Sequence, residues 1–248
     1  MKKLILHIPH SATNIPVREG FIADETKIQH EIIKLTDWYT DELFHSDSDE
    51  MIVTPFSRLF CDVERFENDE DEIMSKVGMG AVYNRFDNGD LLRKVTTELR
   101  VRIIENFYNK HHIRLTEAVE SELALHDSCL IIDCHSFPSK PLLCALDQSG
   151  FSPDFNIGTD LFHTPKDIVD LAYNYFTKKG YSVGIDAPYS GTIVPLKYFK
   201  KSRNINSIML EVNRKLYLNE PTNEKSVEFE KTMKIVQGFI EILRKFNY

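Results

Sequence analysis

The chain has 248 residues, 42% of them hydrophobic and 27% charged, and it carries a formal net charge of −8 at pH 7. This length is enough to bury a sizeable core, and the lack of any run of eighteen or more apolar residues excludes a membrane-spanning helix. The acidic balance argues against a nucleic-acid partner, because neutralising phosphates requires a basic surface.

The first apolar segment, residues 4–8, follows Met1 and two lysines. It is about five residues long, shorter than the ~7 to 15 apolar residues of a signal peptide, so it predicts a strand that begins at once. The four cysteines form no Cys-x-x-Cys pair, and three of them lie in or beside apolar runs. This usage is typical of the reducing cytoplasm, where buried thiols act as small apolar side chains. The sequence therefore predicts a cytoplasmic protein.

The next segment, residues 24–44, has apolar side chains at spacings of three and four. This pattern predicts an amphipathic helix, or two helices broken near Thr36. Asp37 and Asp41 are four residues apart, so both could lie on one face of such a helix.

The remaining predicted elements alternate between strands and helices. They are strands at 51–55 and 59–63, a long loop at 77–90, a helix at 91–124, a strand at 131–136 continued at 142–146, a loop at 151–165, a helix at 168–179, and strands at 181–185 and 208–210 before a helix at 227–246. No repeat or linker appears, so residues 1–248 are expected to form one domain. The alternation predicts an α/β fold with a mixed, largely parallel central sheet, helices on both faces, and functional residues at strand ends.

Three apolar runs far apart in the sequence each end in residues that can bind metal or transfer protons. The first run ends at His10, the second at Asp133 and His135, and the third at Glu211. A single packed sheet would bring these strand ends together. Their convergence is the main indication that the protein is an enzyme.

The two strand-end histidines suit a metal site. Catalytic zinc is held by three ligands drawn from His, Asp and Glu, with one position left for water. We therefore interpret His10 and His135 as metal ligands, with a hydrogen-bonded structural imidazole as the alternative for each. Asp133 is interpreted as a group that orients an imidazole. His7 is expected in the core, because residues three apart in a strand point to opposite faces.

Glu211 and three arginines complete the candidate site. Burial at a strand end raises the pKa of a carboxyl towards the value that a general base needs, so Glu211 is the candidate base, although a salt-bridged strand end fits as well. Arg58, Arg65 and Arg214 suggest a substrate with one or more carboxylates, since guanidinium groups bind these bidentately. Surface ion pairing is the alternative for each arginine.

Other reaction classes find less support. The chain has no Gly-x-Gly-x-x-Gly motif and no Walker loop, so nothing indicates a nucleotide site. Ser11 and Ser136 adjoin the two histidines, which makes a metal-free serine hydrolase conceivable. Neither serine, however, lies in a Gly-x-Ser-x-Gly motif.

The sequence resembles the N-formylglutamate amidohydrolase family in an ordered set of short motifs that covers most of the chain. These motifs are Ile-Pro-His-Ser at 8–11, Thr-Asp-Trp-Tyr at 36–39, Ser-Arg at 57–58, Asp-Val-Glu-Arg-Phe at 62–66, Asp-Cys-His-Ser at 133–136, Gly-Thr at 158–159, Pro-Tyr-Ser-Gly at 188–191 and Leu-Glu-Val-Asn-Arg at 210–214. Each motif is short, but their order is specific.

The resemblance implies a three-layer, phosphorylase/hydrolase-like sandwich and a relationship to zinc carboxypeptidase and aspartoacylase hydrolases. By resemblance His10 and His135 are the histidine ligands, Glu211 activates water and Arg65 holds the substrate carboxylate. The wider group has a Glu three residues after the first histidine, where this chain has Thr13. The role of acidic ligand is therefore transferred to Asp37, with Asp41 as the alternative.

Two further positions depart from the family pattern. Glu64 replaces the Asn expected before Arg65, and it would either repel an anionic substrate group or pair with that arginine. Ala12 replaces the glycine that usually follows His-Ser. The departure at Glu64 bears on the substrate rather than on the metal site.

These observations lead to one functional expectation with two alternatives. The expected protein is a metal-dependent amidohydrolase, with zinc as the first choice of metal, that cleaves a small N-formyl or N-acyl amino acid such as N-formylglutamate. The alternatives are a non-catalytic relative that binds a carboxylate ligand and, further behind, the serine hydrolase. The expected partner is a small anionic acyl amino acid. Binding to a membrane or to nucleic acid is not expected, and a homo-oligomer is possible.

Overall fold

Six strands form the central sheet of the computed structural model, which describes residues 2–246. In chain order they are β1 (Ile5–Ile8), β2 (Glu50–Val53), β3 (Cys129–Phe137), β4 (Phe155–Gly158), β5 (Val183–Ile185) and β6 (Ile205–Asn213). Their spatial order is β2-β1-β3-β6-β4-β5, and every neighbouring pair is parallel except β4 and β6. The predicted α/β fold with a mixed, largely parallel sheet is confirmed.

Helices cover both faces of this sheet. They are α1 (Glu25–Leu35), α2 (Thr40–Leu43), α3 (Thr97–Ile103), α4 (Asn109–His126), α5 (Lys166–Thr177) and α6 (Phe229–Lys245), and a π-helical turn (Ile104–Tyr108) joins α3 to α4. On one face Leu115 and Val119 of α4 pack against apolar residues of β1 and β3. On the other face α2, α5 and α6 share a larger apolar core with the same strands. A short hairpin of β7 (Leu218–Asn219) and β8 (Glu224–Lys225) precedes α6.

The two long central strands carry different side chains on their two faces, because successive residues of a strand point in opposite directions. Leu130 and Ile132 of β3 point into the core beneath α5 and α6. Ile131 points to the α4 face, and Asp133 and His135 follow at intervals of two on that same face. The α4 face therefore changes from apolar to ionisable towards the C-terminal ends of the strands.

Residues 59–63 form turns instead of the predicted strand. The Ser57 carbonyl accepts the backbone N–H groups of Phe60 and Cys61 at 2.9 and 3.3 Å, which closes the chain on itself. The apolar side chains in this segment are buried in a separate cluster with α1 and α3. A run of about five apolar residues cannot distinguish such a buried turn from a strand.

Three other boundaries differ from the prediction. Residues 142–146 form a turn and do not continue β3, and the predicted loop at 151–165 contains β4, which is only four residues long. The helix predicted from residue 91 begins at Thr97, because the Thr96 side chain caps it by accepting the Leu99 N–H. Within residues 2–246, none of the helices is both long and apolar enough to span a membrane.

Candidate metal and catalytic site

The three strand ends singled out in the sequence open into one cavity with a volume of about 610 Å³. His10 follows β1, His135 lies near the end of β3, and Glu211 lies beside it on β6, where the two residues are register partners. Asp37, from the segment between α1 and α2, lines the same cavity. The fold thus brings together four residues that are up to 201 positions apart in the chain.

Two imidazoles and one carboxylate point their nitrogen and oxygen atoms at a common place. Asp37 Oδ2 lies 3.3 Å from His135 Nδ1 and 3.7 Å from His10 Nδ1. The potential ligand atoms of all three residues lie within 4.8 Å of one another, and all three residues are buried. Ligands held ~2.0 to 2.1 Å from a tetrahedral ion would be about 3.4 Å apart, so this spacing matches a shared cation.

Each histidine is fixed by a second carboxylate on its other nitrogen. His10 Nε2 lies 2.8 Å from Asp62 Oδ1, and His135 Nε2 lies 3.0 Å from Asp133 Oδ1. In the neutral rings, donation from each Nε2 would leave the Nδ1 lone pair facing the cavity, which is the tautomer that a metal ligand needs. Asp133 therefore occupies the orienting position expected for it, and Asp62 holds the equivalent position for His10.

Asp37 is held in place by three other groups. Arg214 Nη2 donates to Asp37 Oδ1 at 2.9 Å, the Ser136 N–H donates to Oδ2 at 3.2 Å, and the Asp37 N–H donates to the His10 carbonyl at 3.0 Å. Burial by itself would raise the pKa of Asp37, but the two histidines and Arg214 outweigh it and hold the pKa far below its ordinary value. Asp37 is therefore a carboxylate anion in the buried site.

The helical break near Thr36 confirms one prediction and overturns another. Because α1 ends at Leu35 and Tyr39 takes a left-handed conformation with φ of 59°, Asp37 lies outside both helices. Asp41 lies in α2 and is exposed. The expectation that both aspartates share one helical face is wrong, and Asp37 is the one that meets the histidines.

The Glu211 carboxyl lines the cavity, and its buried Oε2 has no hydrogen-bond partner among the described residues. Burial is the largest influence on its pKa, and the Asp37 charge adds to it, so the pKa is raised to about 8 although His135, Arg58 and Arg214 act in the opposite direction. Such a carboxyl exchanges a proton near neutral pH, which is the property of a general acid and base.

The three candidate arginines have different surroundings. Arg214 is buried and donates to Asp37, to the Lys34 carbonyl and to Ser136 Oγ, so its guanidinium is occupied by protein. Arg58 directs two nitrogens at Asp62, with the shorter contact at 2.9 Å.

Arg65 lies 3.6 Å from Asp62 and 3.8 Å from Glu72, but its buried Nε has no hydrogen-bond partner among the described residues. Its contacts with carboxylates are thus longer than those of Arg58 and Arg214.

Glu64 points towards His7 and not towards Arg65. Its Oε1 lies 2.9 Å from His7 Nδ1, which also lies 3.0 Å from Asp133 Oδ1. Burial would lower the pKa of His7, yet these two carboxylates raise it to about 9, so the ring is an imidazolium at neutral pH. The positive charge compensates the extra carboxylate at position 64. His7 is fully buried, as expected, but it belongs to the polar network beside the site.

Buried polar atoms without hydrogen bonds are concentrated in this cavity. Among residues 2–246, five buried side-chain nitrogen or oxygen atoms have no hydrogen bond, and four of them belong to residues that line the cavity: His10, Glu64, Arg65 and Glu211. Three of these four atoms have ion-pair contacts, which are Glu64 Oε1 with His7 at 2.9 Å, Arg65 Nε with Asp62 at 3.6 Å and His10 Nδ1 with Asp37 at 3.7 Å. Native proteins pair nearly all such atoms, so each exception needs an explanation. Unpaired atoms of this kind in a cavity are typical of a binding site.

A model of the N-formylglutamate amidohydrolase family matches residues 2–218. The chain belongs to the N-formylglutamate amidohydrolase family. Its fold is similar to the crystal structure of N-formylglutamate amidohydrolase from Ralstonia eutropha JMP134, with a TM-score of 0.84 and 22% identity over 98% of this chain and 92% of that one. It is also similar to the crystal structure of a gene product from Agrobacterium tumefaciens, with a TM-score of 0.64 and 14% identity over 98% of this chain and 92% of that one. Among curated proteins, none matches the sequence significantly.

Sequence reasoning missed the importance of Asp62 in this family member. Its side chain receives hydrogen bonds from His10, from Arg58 and, at 2.6 Å, from the Tyr83 hydroxyl. An acidic residue directly after the apolar run at 59–61 was a usable signal, because an aspartate there is buried and must have partners. The Ser136 hydroxyl, by contrast, contacts Arg214, and no hydrogen bond joins it to a histidine in the described chain.

Proposed function

We propose that this protein is a divalent-metal-dependent amidohydrolase that cleaves the amide of a small N-formyl or N-acyl amino acid. The observation that carries the proposal is the convergence of His10 Nδ1, His135 Nδ1 and Asp37 Oδ2 beside the buried Glu211 carboxyl. Family membership and the likeness to the Ralstonia amidohydrolase support the reaction class. The cytoplasmic location and the oligomeric state stay predictions.

The residues present fit a divalent cation, with zinc as the first choice. Two imidazole nitrogens and one carboxylate oxygen form the donor set of catalytic zinc sites, which leave a position open. His10 Nδ1 is buried and has no hydrogen-bond partner among the described residues, as expected of a ligand atom. Asp133 and Asp37 raise the pKa of His135 well above its ordinary value against the effect of burial. The same negative field favours a metal cation, whose binding would release that proton.

A bound ion would polarise the scissile carbonyl and lower the pKa of water towards ~7. Glu211 would then accept the proton of the attacking water and return it to the amide nitrogen as the C–N bond breaks. Arg65, which lines the cavity and has only long contacts with Asp62 and Glu72, would bind the substrate carboxylate. Asp62, Asp133 and Arg214 would hold the two histidines and Asp37 in position.

The test combines metal analysis with hydrolysis assays on a panel of formyl and acetyl amino acids. We expect one divalent ion per chain, loss of turnover after chelation, and recovery on adding zinc. His135→Ala should remove both the metal and the activity, whereas His45→Ala, at an exposed histidine on the surface, should change neither.

Metal-free protein with full activity in His135→Ala would refute the proposal. Binding of panel members without turnover of any would instead support the carboxylate-binding alternative. Labelling of a serine by a fluorophosphonate, together with indifference to chelators, would indicate the serine hydrolase.

A further inference from the structure

The cavity offers little positive charge for a substrate with two carboxylates. Three arginines and no lysine line it, and two of the arginines, Arg58 and Arg214, are engaged by Asp62 and Asp37. Of these three arginines, Arg65 is the one whose buried Nε has no hydrogen bond in the described protein, and that nitrogen lies 3.6 Å from Asp62 Oδ2. The site can therefore compensate one carboxylate well, and a second would find no comparable partner.

The charges elsewhere on the cavity wall oppose a second carboxylate. Beyond Asp37, Glu64 and Glu211, four more acidic residues line the cavity: Glu72, Asp147, Asp160 and Asp186. Like charges repel one another more strongly in a partly desolvated cleft than in water. An anionic side chain on the substrate would face this repulsion as well as the loss of its hydration.

The outer wall of the cavity is apolar instead. Its lining includes a group of large apolar side chains, which we call the apolar rim: Phe66, Leu142, Leu146, Leu196 and Phe199. Phe66, Leu146 and Leu196 are exposed by 41%, 70% and 47%, and the rings of Phe66 and Phe199 are 6.5 Å apart. Phe66 directly follows Arg65 in the chain, so the apolar rim begins next to the residue whose guanidinium also lines the cavity. Apolar surface of this kind in a cleft marks a ligand contact.

We propose that the substrate is a monocarboxylate, an N-formyl or N-acyl amino acid with an apolar side chain, and not the dicarboxylate N-formylglutamate. The inference rests on the proposed function. Arg65 binds the single carboxylate, the acyl carbonyl lies at the His10, Asp37 and His135 group, and the side chain covers the apolar rim.

The test uses three formylated amino acids with side chains of similar length: N-formylmethionine, N-formylglutamine and N-formylglutamate. The step from glutamate to glutamine removes only the charge, and the step from glutamine to methionine replaces an amide by apolar atoms. We expect kcat/KM of the metal-loaded enzyme to rise from N-formylglutamate to N-formylglutamine and again to N-formylmethionine. The overall rise should be at least about tenfold, because side-chain contacts in a pocket discriminate between substrates to this extent. An order with N-formylglutamate first would overturn the inference.

A charge placed in the apolar rim should reverse this preference. Leu146→Arg should lower kcat/KM for N-formylmethionine relative to N-formylglutamate by about tenfold, because it supplies a second cation and removes apolar contact. Leu125→Arg is the matched control, since Leu125 has the same 70% exposure but lies on α4 outside the cavity. An unchanged ratio in Leu146→Arg would count against the rim as the side-chain site.

Binding separates failure of this inference from failure of the proposed function. Calorimetric dissociation constants of the three compounds with Glu211→Gln report the preference without requiring turnover. No hydrolysis by the wild-type protein would remove the proposed function, while the binding order would still decide the inference. Tightest binding of N-formylmethionine supports it, and tightest binding of N-formylglutamate overturns it.

Discussion

The two faces of the central strands carry out different tasks in this molecule. Under α5 and α6, Leu130, Ile132 and Leu210 form an apolar core with no exposed surface. On the α4 face of the same strands, His135 and Glu211 line the cavity. The faces differ because alternate residues of a strand point in opposite directions, so one segment of chain can build both a scaffold and a site.

The comparison shows how ionisable groups can be buried at fixed positions. The site face contains groups whose burial destabilises the fold, such as the Glu211 carboxyl with its raised pKa. Close packing on the opposite face fixes the backbone that carries these groups and offsets their cost. Substitution of Leu210 should therefore lower stability, whereas substitution of the adjacent Glu211 should lower the catalytic rate.

The largest expected effect is a fall in kcat when Glu211, on the α4 face, is substituted. Glu211→Gln keeps the shape of the side chain but removes the proton acceptor, so kcat should fall by about 10² to 10⁴. The melting temperature should not fall, because the buried carboxyl loses no hydrogen bond at Oε2. Steady-state kinetics with the metal-loaded enzyme measures the first quantity, and thermal unfolding measures the second. A variant that keeps the wild-type rate would exclude Glu211 as the base.

Leu210, the neighbour of Glu211, should affect the stability of the fold much more than the rate. Leu210→Ala removes a fully buried side chain from the core under α5 and α6 and should lower the unfolding free energy by about 2 to 5 kcal/mol. At a temperature where the variant is folded, kcat should change much less than in Glu211→Gln. Denaturant unfolding and kinetics on the same preparation check both values. A large fall in kcat with unchanged stability would mean that the two faces are not separable.

The unfolding free energy should depend on pH through the buried Glu211 carboxyl on the α4 face. In the metal-free protein the pKa of Glu211 is raised from 4.5 to about 8, so the folded state holds a proton that the unfolded state releases. This contribution is present below pH 4.5 and is lost as the pH rises to about 8.

The unfolding free energy of the wild type, relative to Glu211→Gln, should therefore fall by a few kcal/mol between pH 5 and pH 9, at ~1.36 kcal/mol per pKa unit. Chemical unfolding of chelator-treated protein measures the difference. Parallel pH profiles for the two proteins would contradict a raised pKa at this position.

The smallest effect is expected on metal affinity. Asp133→Asn weakens the hydrogen bond that orients His135, and groups in that position contribute about 10- to 100-fold to metal binding. Cys134→Ala changes the adjacent residue, which points into the opposite core, and should leave the affinity unchanged. Competition with a metal-sensitive dye gives both constants. Equal losses in the two variants would indicate a general disturbance of β3.

Much of the site was predictable because its residues end apolar strands. His10, His135 and Glu211 each follow a run of apolar residues, and the ends of parallel strands meet at one edge of a sheet. The roles of the arginines were not predictable in this way. Arg58, Arg65 and Arg214 look alike as sequence motifs, and only their partners in the fold show that Arg214 holds Asp37 while Arg65 Nε makes no hydrogen bond among the described residues.

The sequence by itself determined the α/β class, the strand ends that carry chemistry and the family resemblance, because periodicity and local motifs are encoded in neighbouring residues. The tertiary structure decided which charges compensate one another. It placed Asp37 rather than Asp41 beside the histidines, paired Glu64 with His7 and made Asp62 the partner of His10. These contacts join residues that are between 27 and 98 positions apart, and ion pairing over such separations depends on packing, which local patterns do not record.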